Sequence, residues 1–297
     1  MSGGEIDLES YFDRIAYVGP RAPALDTLAA IHAAHVAAIP FENLDVLLGR
    51  PIRLDPASLA RKLVTAHRGG YCYEQNGLLL QVLTALGFAV TPLAARVRLG
   101  ALEGVETARS HMLLAIDLPE GRFLADVGFG GQNPCVPLRL EAGPEQPTSN
   151  GLYRVMPHDD GGLLPNFELQ ARGREGWSSL YRFTLEPQRR IDYEVSNWWV
   201  STHPDSIFVR SLMVARAERD RRYTLLGGNF SIRNADGRAE EWPLANADAL
   251  VGVLKDYFGL DPARIAEENQ VPEARMRDVL ARCIVAARQI TPAACVA

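Results

Sequence analysis

Arg68-Gly69-Gly70-Tyr71-Cys72-Tyr73-Glu74-Gln75-Asn76 sets a cysteine between a glycine-rich turn and the apolar run Leu78-Leu79-Leu80-Gln81-Val82-Leu83-Thr84-Ala85-Leu86, which Gly87 closes. The run predicts a buried helix with a glycine stop, so Cys72 falls at or near the helix N-terminus. Unpaired backbone N–H groups and the helix dipole favour an anion at such a position, and that is how a reactive thiolate is built. A single cysteine is more often an inert small hydrophobe. Chemistry at Cys72 therefore depends on partners supplied by the rest of the chain.

Ahead of Cys72 the signals are helical. Leu25, Leu28, Ile31, His35 and Val36 recur near helical spacing, and Asp55-Pro56 offers an N-cap and first-turn proline before Leu59, Leu63 and Val64. From Ala89 the pattern changes to short β-like runs, Val90 to Leu99, His111 to Leu118, Arg122 to Val127, Tyr153 to Met156 and Tyr181 to Leu185, separated by Gly, Pro and Asp. These predict a compact antiparallel barrel or sandwich. A third stretch offers a hairpin of Phe208 to Arg216 with Tyr223 to Ile232, then a helix through Leu250, Val251, Leu254 and Phe258 to Gly259. Met276, Val279, Leu280, Ile284 and Val285 mark an amphipathic helix within residues 272–290, expected to pack on the core. The fold expectation is α+β. A helical domain (1–88) carries the nucleophile, a β-barrel domain (89–206) the histidine and aspartate, and an α/β domain (207–297) closes the chain.

Composition sets limits on function. At 297 residues, 47% hydrophobic and 23% charged, the chain can bury large cores. No stretch reaches eighteen consecutive apolar residues, and Met1 to Asp7 lacks the basic start and apolar run of a signal peptide. A cytoplasmic location away from membranes is the expectation. Cys72, Cys135, Cys283 and Cys295 show no CxxC or Cys/His ligand spacing, so free thiols and no metal are expected. A net charge of −5 argues against a nucleic-acid surface. Neither a P-loop nor a G-x-G-x-x-G fingerprint is present.

A thiolate needs a base, and the base needs a group to orient it. His111 and Asp126 lie on two β-like runs joined by Leu118-Pro119-Glu120-Gly121-Arg122. With either two-residue loop, Pro119-Glu120 or Glu120-Gly121, the two side chains share a sheet face; the first register makes them diagonal neighbours about 7–8 Å apart. A three-residue loop would separate them. His67, close to Cys72 in the same loop, is the rival base, and Asp117 the rival acid. Gly128, Phe129, Gly130 and Gly131 after Asp126 let a backbone approach a ligand closely, with Phe129 free to stack on a flat substrate. Glu42 and Arg68 offer an ion pair to brace the cysteine loop, a surface role being equally open.

The nonapeptide resembles the R-G-G-x-C-x-E-x-N signature of the arylamine N-acetyltransferases, and further segments match that family in the same order. Ile39-Pro40-Phe41-Glu42-Asn43-Leu44 resembles its P-F-E-N segment, Ser110-His111 and Asp126-Val127-Gly128-Phe129-Gly130-Gly131 hold its catalytic histidine and aspartate, and Asn197-Trp198-Trp199-Val200-Ser201-Thr202-His203-Pro204 its N-x-x-x-S-T-H-P. The likeness covers residues 8–260; the stretch 261–297 has no match and reads as an extension. It implies a cysteine-protease-like catalytic core with a C-terminal lid, and decides for His111 over His67. It also implies ping-pong transfer from acetyl-coenzyme A, as co-substrate, through a Cys72 thioester to arylamines, arylhydrazines or arylhydroxylamines, with no resident cofactor. Phe41, Val97 and Gly128 to Gly131 are the substrate and coenzyme A contacts implied. The protein is expected to be a monomer or homodimer. The same triad serves thiol proteases, transglutaminase-like enzymes and macrolactam-forming amide synthases. The last, or a catalytically inactive acyl-binding relative, is the alternative reading.

Overall fold

The N-terminal stretch folds as its periodicity dictates. In the computed structural model, which describes residues 6–102, 104–159, 161–236 and 238–287, α1 (Leu8–Arg14) starts at Asp7, whose carboxylate accepts the Ser10 N–H at 3.2 Å. α2 (Leu25–Ala38) buries Leu28 and Ile31 together with His32 and His35. The segment then straightens into β1 (Phe41–Glu42), a strand inside a region read as helical throughout. α3 (Leu44–Leu47) follows, then α4 (Pro56–Leu59), which continues as a π-helical segment, Ala60–Thr65. α5 (Cys72–Ala85) begins at Cys72, where the Tyr71 N–H donates to the Glu74 carboxylate at 3.0 Å. Leu78, Leu79, Val82 and Leu83 are fully buried and pack with Leu28 and Ile31 in one core.

The central stretch forms one antiparallel sheet: β2 (Ala89–Val97), β3 (Arg109–Leu118), β4 (Gly121–Ala125), β5 (Leu138–Arg139), β6 (Gln146–Thr148), β7 (Gly151–His158), β8 (Asn166–Gly173) and β9 (Gly176–Thr184). Its order is β5-β4-β3-β2-β9-β8-β7-β6. The two end strands approach one another: the Gln146 amide accepts the Arg139 N–H at 2.7 Å and donates to its carbonyl at 2.9 Å, so the sheet nearly closes into a barrel. Leu93, Leu113, Tyr153, Val155, Leu169 and Tyr181 fill its interior. β8, rich in polar residues at alternate positions, was not among the runs expected. In the β3–β4 hairpin Leu118 pairs with Gly121, so the loop is Pro119-Glu120, and the ladder runs on to Leu114 opposite Ala125. Continued by one step, that register makes Asp126 the diagonal neighbour of His111.

α6 (Arg190–Thr202) leaves the barrel and crosses between it and the cysteine loop: Tyr193 Oη donates to the Leu93 carbonyl at 2.9 Å and Asn197 Nδ2 to the Ile52 carbonyl at 3.0 Å. The expected Phe208–Arg216 strand is instead the short helix α7 (Ile207–Arg210) followed by β10 (Met213–Ala217), because Ser206 caps the Phe208 N–H. The expected Tyr223–Ile232 strand is two, β11 (Arg221–Leu226) and β12 (Asn229–Asn234), since Gly227 and Gly228 make the turn between them; β13 (Ala239–Pro243) completes the hairpins. β1 joins this sheet at its edge, with Phe41 opposite Ala215 and Glu42 opposite Val214. The N-terminal and C-terminal stretches therefore share a sheet.

α8 (Ala247–Phe258), α9 (Pro262–Glu268) and α10 (Glu273–Ala287) cover that sheet. Met276, Val279, Leu280, Cys283 and Ile284 of α10 are buried with Leu212, Leu225 and Leu254 in a second core. Residues 288–290 of the expected helix, and Cys295, lie outside the described residues. No described helix is long and apolar enough to cross a membrane. Since Leu280 is fully buried, Leu280→Ala should cost about 2–5 kcal/mol in denaturant unfolding. A loss below half a kilocalorie would mean that α10 is only loosely seated.

Candidate active site

Cys72 opens α5, and its thiol donates to the Ser110 carbonyl at 3.7 Å. His111 is the next residue along β3, and the Cys72 side chain is among the groups that favour its charged imidazole. The ring's Nε2 donates to Asp126 Oδ2 at 2.7 Å, which leaves Nδ1 as the nitrogen able to exchange a proton with sulfur. Burial disfavours a charged imidazole, but the Asp126 carboxylate, together with the Cys72 side chain, outweighs it and raises His111 from 6.5 to about 10. Asp126 is lowered despite burial by His111, by Asn76 and by the Gly128 N–H. Cys72, His111 and Asp126 are each exposed by 3% or less, so an acyl group carried here would be shielded from water.

The remaining expected residues converge on the same place. Gly128 lies against Cys72: a Cβ there would sit 2.8 Å from Cys72 Cα and from Asn76 Nδ2. Its side toward the site is filled by the helix itself, so close approach, and not room for substrate, is what requires glycine there. A Cβ on Gly130, at φ +78, would sit 3.5 Å from the Phe41 ring, and one on Gly131 2.8 Å from the Thr224 methyl on β11. Phe129 and Tyr181 pack against the His111 ring with centroids 5.1 Å away in each case, and Val97 lies opposite Tyr181 in the β2–β9 register. His67 is exposed, in a left-handed backbone conformation at φ 53, and Asp117 is exposed and paired with Arg122; neither joins the site.

Below the cysteine loop the Glu42–Arg68 pair is buried, which excludes the surface role. Arg68 Nη2 donates to Glu42 at 2.7 Å and to Asp45 at 2.9 Å; Lys62 in turn reaches Asp45 at 2.8 Å and Glu74 at 2.7 Å. Three carboxylates share two cations. Burial, against the pull of Lys62, lifts Glu74 to about 6, while Lys62 and Arg68 hold Asp45 well below the usual carboxylate range despite burial. Asn43 donates to the Phe208 and Ser211 carbonyls and accepts the Met213 N–H at 2.7 Å, tying the Phe41–Glu42–Asn43 segment to α7 and β10.

Further supports have no role assigned from the sequence, although Asn76 and Asn197 stand in the motifs quoted above. Asn76, one turn after Cys72, donates to Asp126 Oδ1 at 2.9 Å and to the Met112 carbonyl at 2.7 Å, and accepts the Val127 N–H. Its i, i+4 spacing from Cys72 was the available signal. His32 Nε2 accepts the Asp126 N–H at 3.3 Å, and burial lowers this histidine to about 4, so it stays neutral. Tyr71 Oη donates to Asn197 Oδ1. Among the described residues no group of three or more His, Cys, Asp or Glu is arranged to hold a metal.

The family model described as N-acetyltransferase matches residues 24–265. An arylamine N-acetyltransferase of Mycobacterium tuberculosis is 44% identical over 93% of this chain and 97% of its own length. The solved arylamine N-acetyltransferase of Mycobacterium marinum superposes with a TM-score of 0.86 at 41% identity, over 94% of this chain and 100% of that one. A second structure from that organism, in complex with CoA, superposes equally well over 93% of this chain. Such coverage exceeds residues 8–260, so much of the stretch beyond 260 is shared with relatives and is not an added extension.

His111 above its ordinary 6.5 contributes stability that is complete below pH 6.5 and fades as pH rises toward about 10; Asp126, lowered, contributes above 3.8. Asp126→Asn should therefore lose most stability, relative to the parent, between about pH 3.8 and 6.5, with the gap narrowing toward pH 10. The imidazolium partner of Cys72 is lost as well, so the iodoacetamide profile of Cys72 should move to higher pH. An unchanged profile in folded Asp126→Asn would make the carboxylate a purely structural acceptor.

Proposed function

The chain belongs to the arylamine N-acetyltransferase family, and on that premise we propose that it transfers acetyl groups from acetyl-coenzyme A to arylamines, arylhydrazines or arylhydroxylamines through a thioester on Cys72. The carrying observation is the buried pair of Asp126 and His111, bonded at 2.7 Å, set beside the thiol at the head of α5, which itself bonds the carbonyl of Ser110, the residue before His111. With the thiol proton already held on His111 as imidazolium, the Cys72 thiolate attacks the thioester carbonyl. Collapse of the tetrahedral adduct expels coenzyme A, which leaves with the proton from the imidazolium. The amine then attacks acetyl-Cys72, its proton passes to His111, and the Cys72 thiolate departs from the amide product. Exchange of one thioester for another needs little driving force, and amide formation makes the second half downhill.

Phe41, Phe129 and Val97 are the side chains we assign to the amine ring and acyl group, with the Gly128–Gly131 backbone shaping the coenzyme A cleft. Close packing of Phe129 and Tyr181 on His111 supports a two-carbon acyl group over the long chain of a macrolactam-forming amide synthase. Burial of all three triad side chains supports transfer over hydrolysis. The reading carries with it a cytoplasmic enzyme, monomeric or homodimeric, that keeps no resident cofactor.

Incubated with acetyl-coenzyme A alone, the protein should gain one acetyl group on Cys72 by mass spectrometry. Initial-rate plots at several amine concentrations should be parallel. Cys72→Ser should fold and transfer nothing, because a serine alkoxide is far harder to form than a thiolate. Intersecting plots without acetyl-enzyme would remove Cys72 from the chemistry.

A further inference from the structure

His35 is buried in α2, and the mechanism makes no use of it. Its bonds form a chain whose direction is fixed by what each atom can do. Gln75, on α5 one turn in from Cys72, points its amide nitrogen at carbonyls only: Pro40 at 2.8 Å, Gly70 at 3.2 Å and Ile39 at 3.4 Å. Carbonyls only accept, so that atom is the NH₂ and Gln75 Oε1 is left as an acceptor. His35 Nε2, 2.7 Å from Oε1, must then carry the proton, and Nδ1 must accept from Tyr11 Oη at 2.9 Å. Three fully buried residues, Tyr11 on α1, His35 on α2 and Gln75 on α5, thus allow one tautomer and one amide orientation.

The chain ends on the two backbone segments that set the nucleophile. Pro40 O also accepts the Gly70 N–H at 3.3 Å, and Gly70 O accepts the Glu42 N–H at 3.1 Å, so both carbonyls under the Gln75 amide belong to the bridge joining the cysteine loop to the Phe41 segment. That bridge is tight: a Cβ on Gly69 would lie 2.1 Å from Pro40 O. A turned amide would put Oε1 against these carbonyls, and repulsion between acceptors would open the bridge two residues before Cys72.

We propose that His35 is a positioning residue for the acyl transfer, holding Gln75 in the one orientation that fixes Gly70 and Pro40 and thereby sets the place of Cys72 against His111. The proposal rests on Cys72 being the nucleophile. It takes His35 out of the role of a core histidine satisfied for its own sake, and it makes the spacing His35, Gln75 and Gly70 a functional unit.

The test compares His35→Leu, His35→Gln, Gln75→Leu and the double variant His35→Leu/Gln75→Leu. Two rates are read in folded protein: iodoacetamide alkylation of Cys72, and acetylation of Cys72 by acetyl-coenzyme A. Leu28→Ala, also in the α2 core, controls for lost stability. His35→Leu should slow both rates by about ten- to a hundredfold, the scale of a displaced reacting group. His35→Gln, whose amide N–H reaches Gln75 Oε1, should recover most of the loss, the double variant should be no slower than Gln75→Leu alone, and Leu28→Ala should lower the melting temperature with rates intact. Wild-type rates in folded His35→Leu, full additivity in the double variant, or no recovery in His35→Gln would each overturn the proposal. Should His35→Leu fail to fold, Tyr11→Phe replaces it, with a smaller slowing of both rates expected and unchanged rates overturning. Alkylation that follows these variants in a protein that never takes up acetyl would refute the transferase reading and leave the positioning role standing.

Discussion

Burying the Asp126 carboxylate is the constraint around which the molecule is organised. An ionised carboxylate taken out of water is tolerated only when its oxygens are met by donors. Here His111 supplies one, Asn76 a second and the Gly128 N–H a third. These donors come from β3, from α5 and from the loop after β4, so satisfying one charge requires the barrel and the cysteine helix to dock in a single relative position. The donor set that makes the charge tolerable also raises His111 and brings Cys72 to it. Fold stability and reactivity at the thiol thus draw on the same hydrogen bonds, and a change at Asp126 cannot affect one without the other.

A second buried charge system carries the loop on which the first depends. Glu42, Asp45 and Glu74 surround Lys62 and Arg68 with one negative charge in excess when all are ionised. The excess falls on Glu74, the member raised to about 6, which also caps the Tyr71 N–H immediately before Cys72. Removing one partner of a buried pair typically costs about 3–5 kcal/mol because the other charge is stranded. The system joins β1, α3, the π-helical segment and α5, and Asn269, the residue after α9, reaches Asp45 at 3.2 Å. The P-F-E-N segment is where these ties meet. Phe41 packs on Gly130, Glu42 binds Arg68, and Asn43 binds α7 and β10.

What the sequence made legible follows from how local each determinant is. The helix start at Cys72 could be read because a glycine-rich turn acts over a few residues; the β3–β4 hairpin could be read as a hairpin, but its register stayed open between two loops until the Leu118–Gly121 pair placed Pro119-Glu120 in the turn. The burial of Glu42 with Arg68 is set by a strand pairing between residues 41–42 and 214–215, far apart in the chain and invisible to periodicity. Two residues of strand leave no alternating pattern to detect. The break of Tyr223–Ile232 at Gly227-Gly228 was legible in principle, and the apolar run on either side hid it. His32 and His35 show the reverse difficulty: their helical spacing was plain, but the groups they meet, the Asp126 N–H and Gln75, come from other elements.

The two histidines hold opposite tautomers. His32 accepts at Nε2 and so carries its proton on Nδ1; His35 donates from Nε2 and accepts at Nδ1. Burial lowers them to about 4 and about 3, so between about pH 4 and 10 both are neutral while His111 is charged. Three buried histidines therefore take different charge states. The one beside a carboxylate is held charged, while the two facing neutral amides and a phenol stay neutral as fixed dipoles. Residue type alone could not have distinguished them, because only the partner decides which histidine titrates.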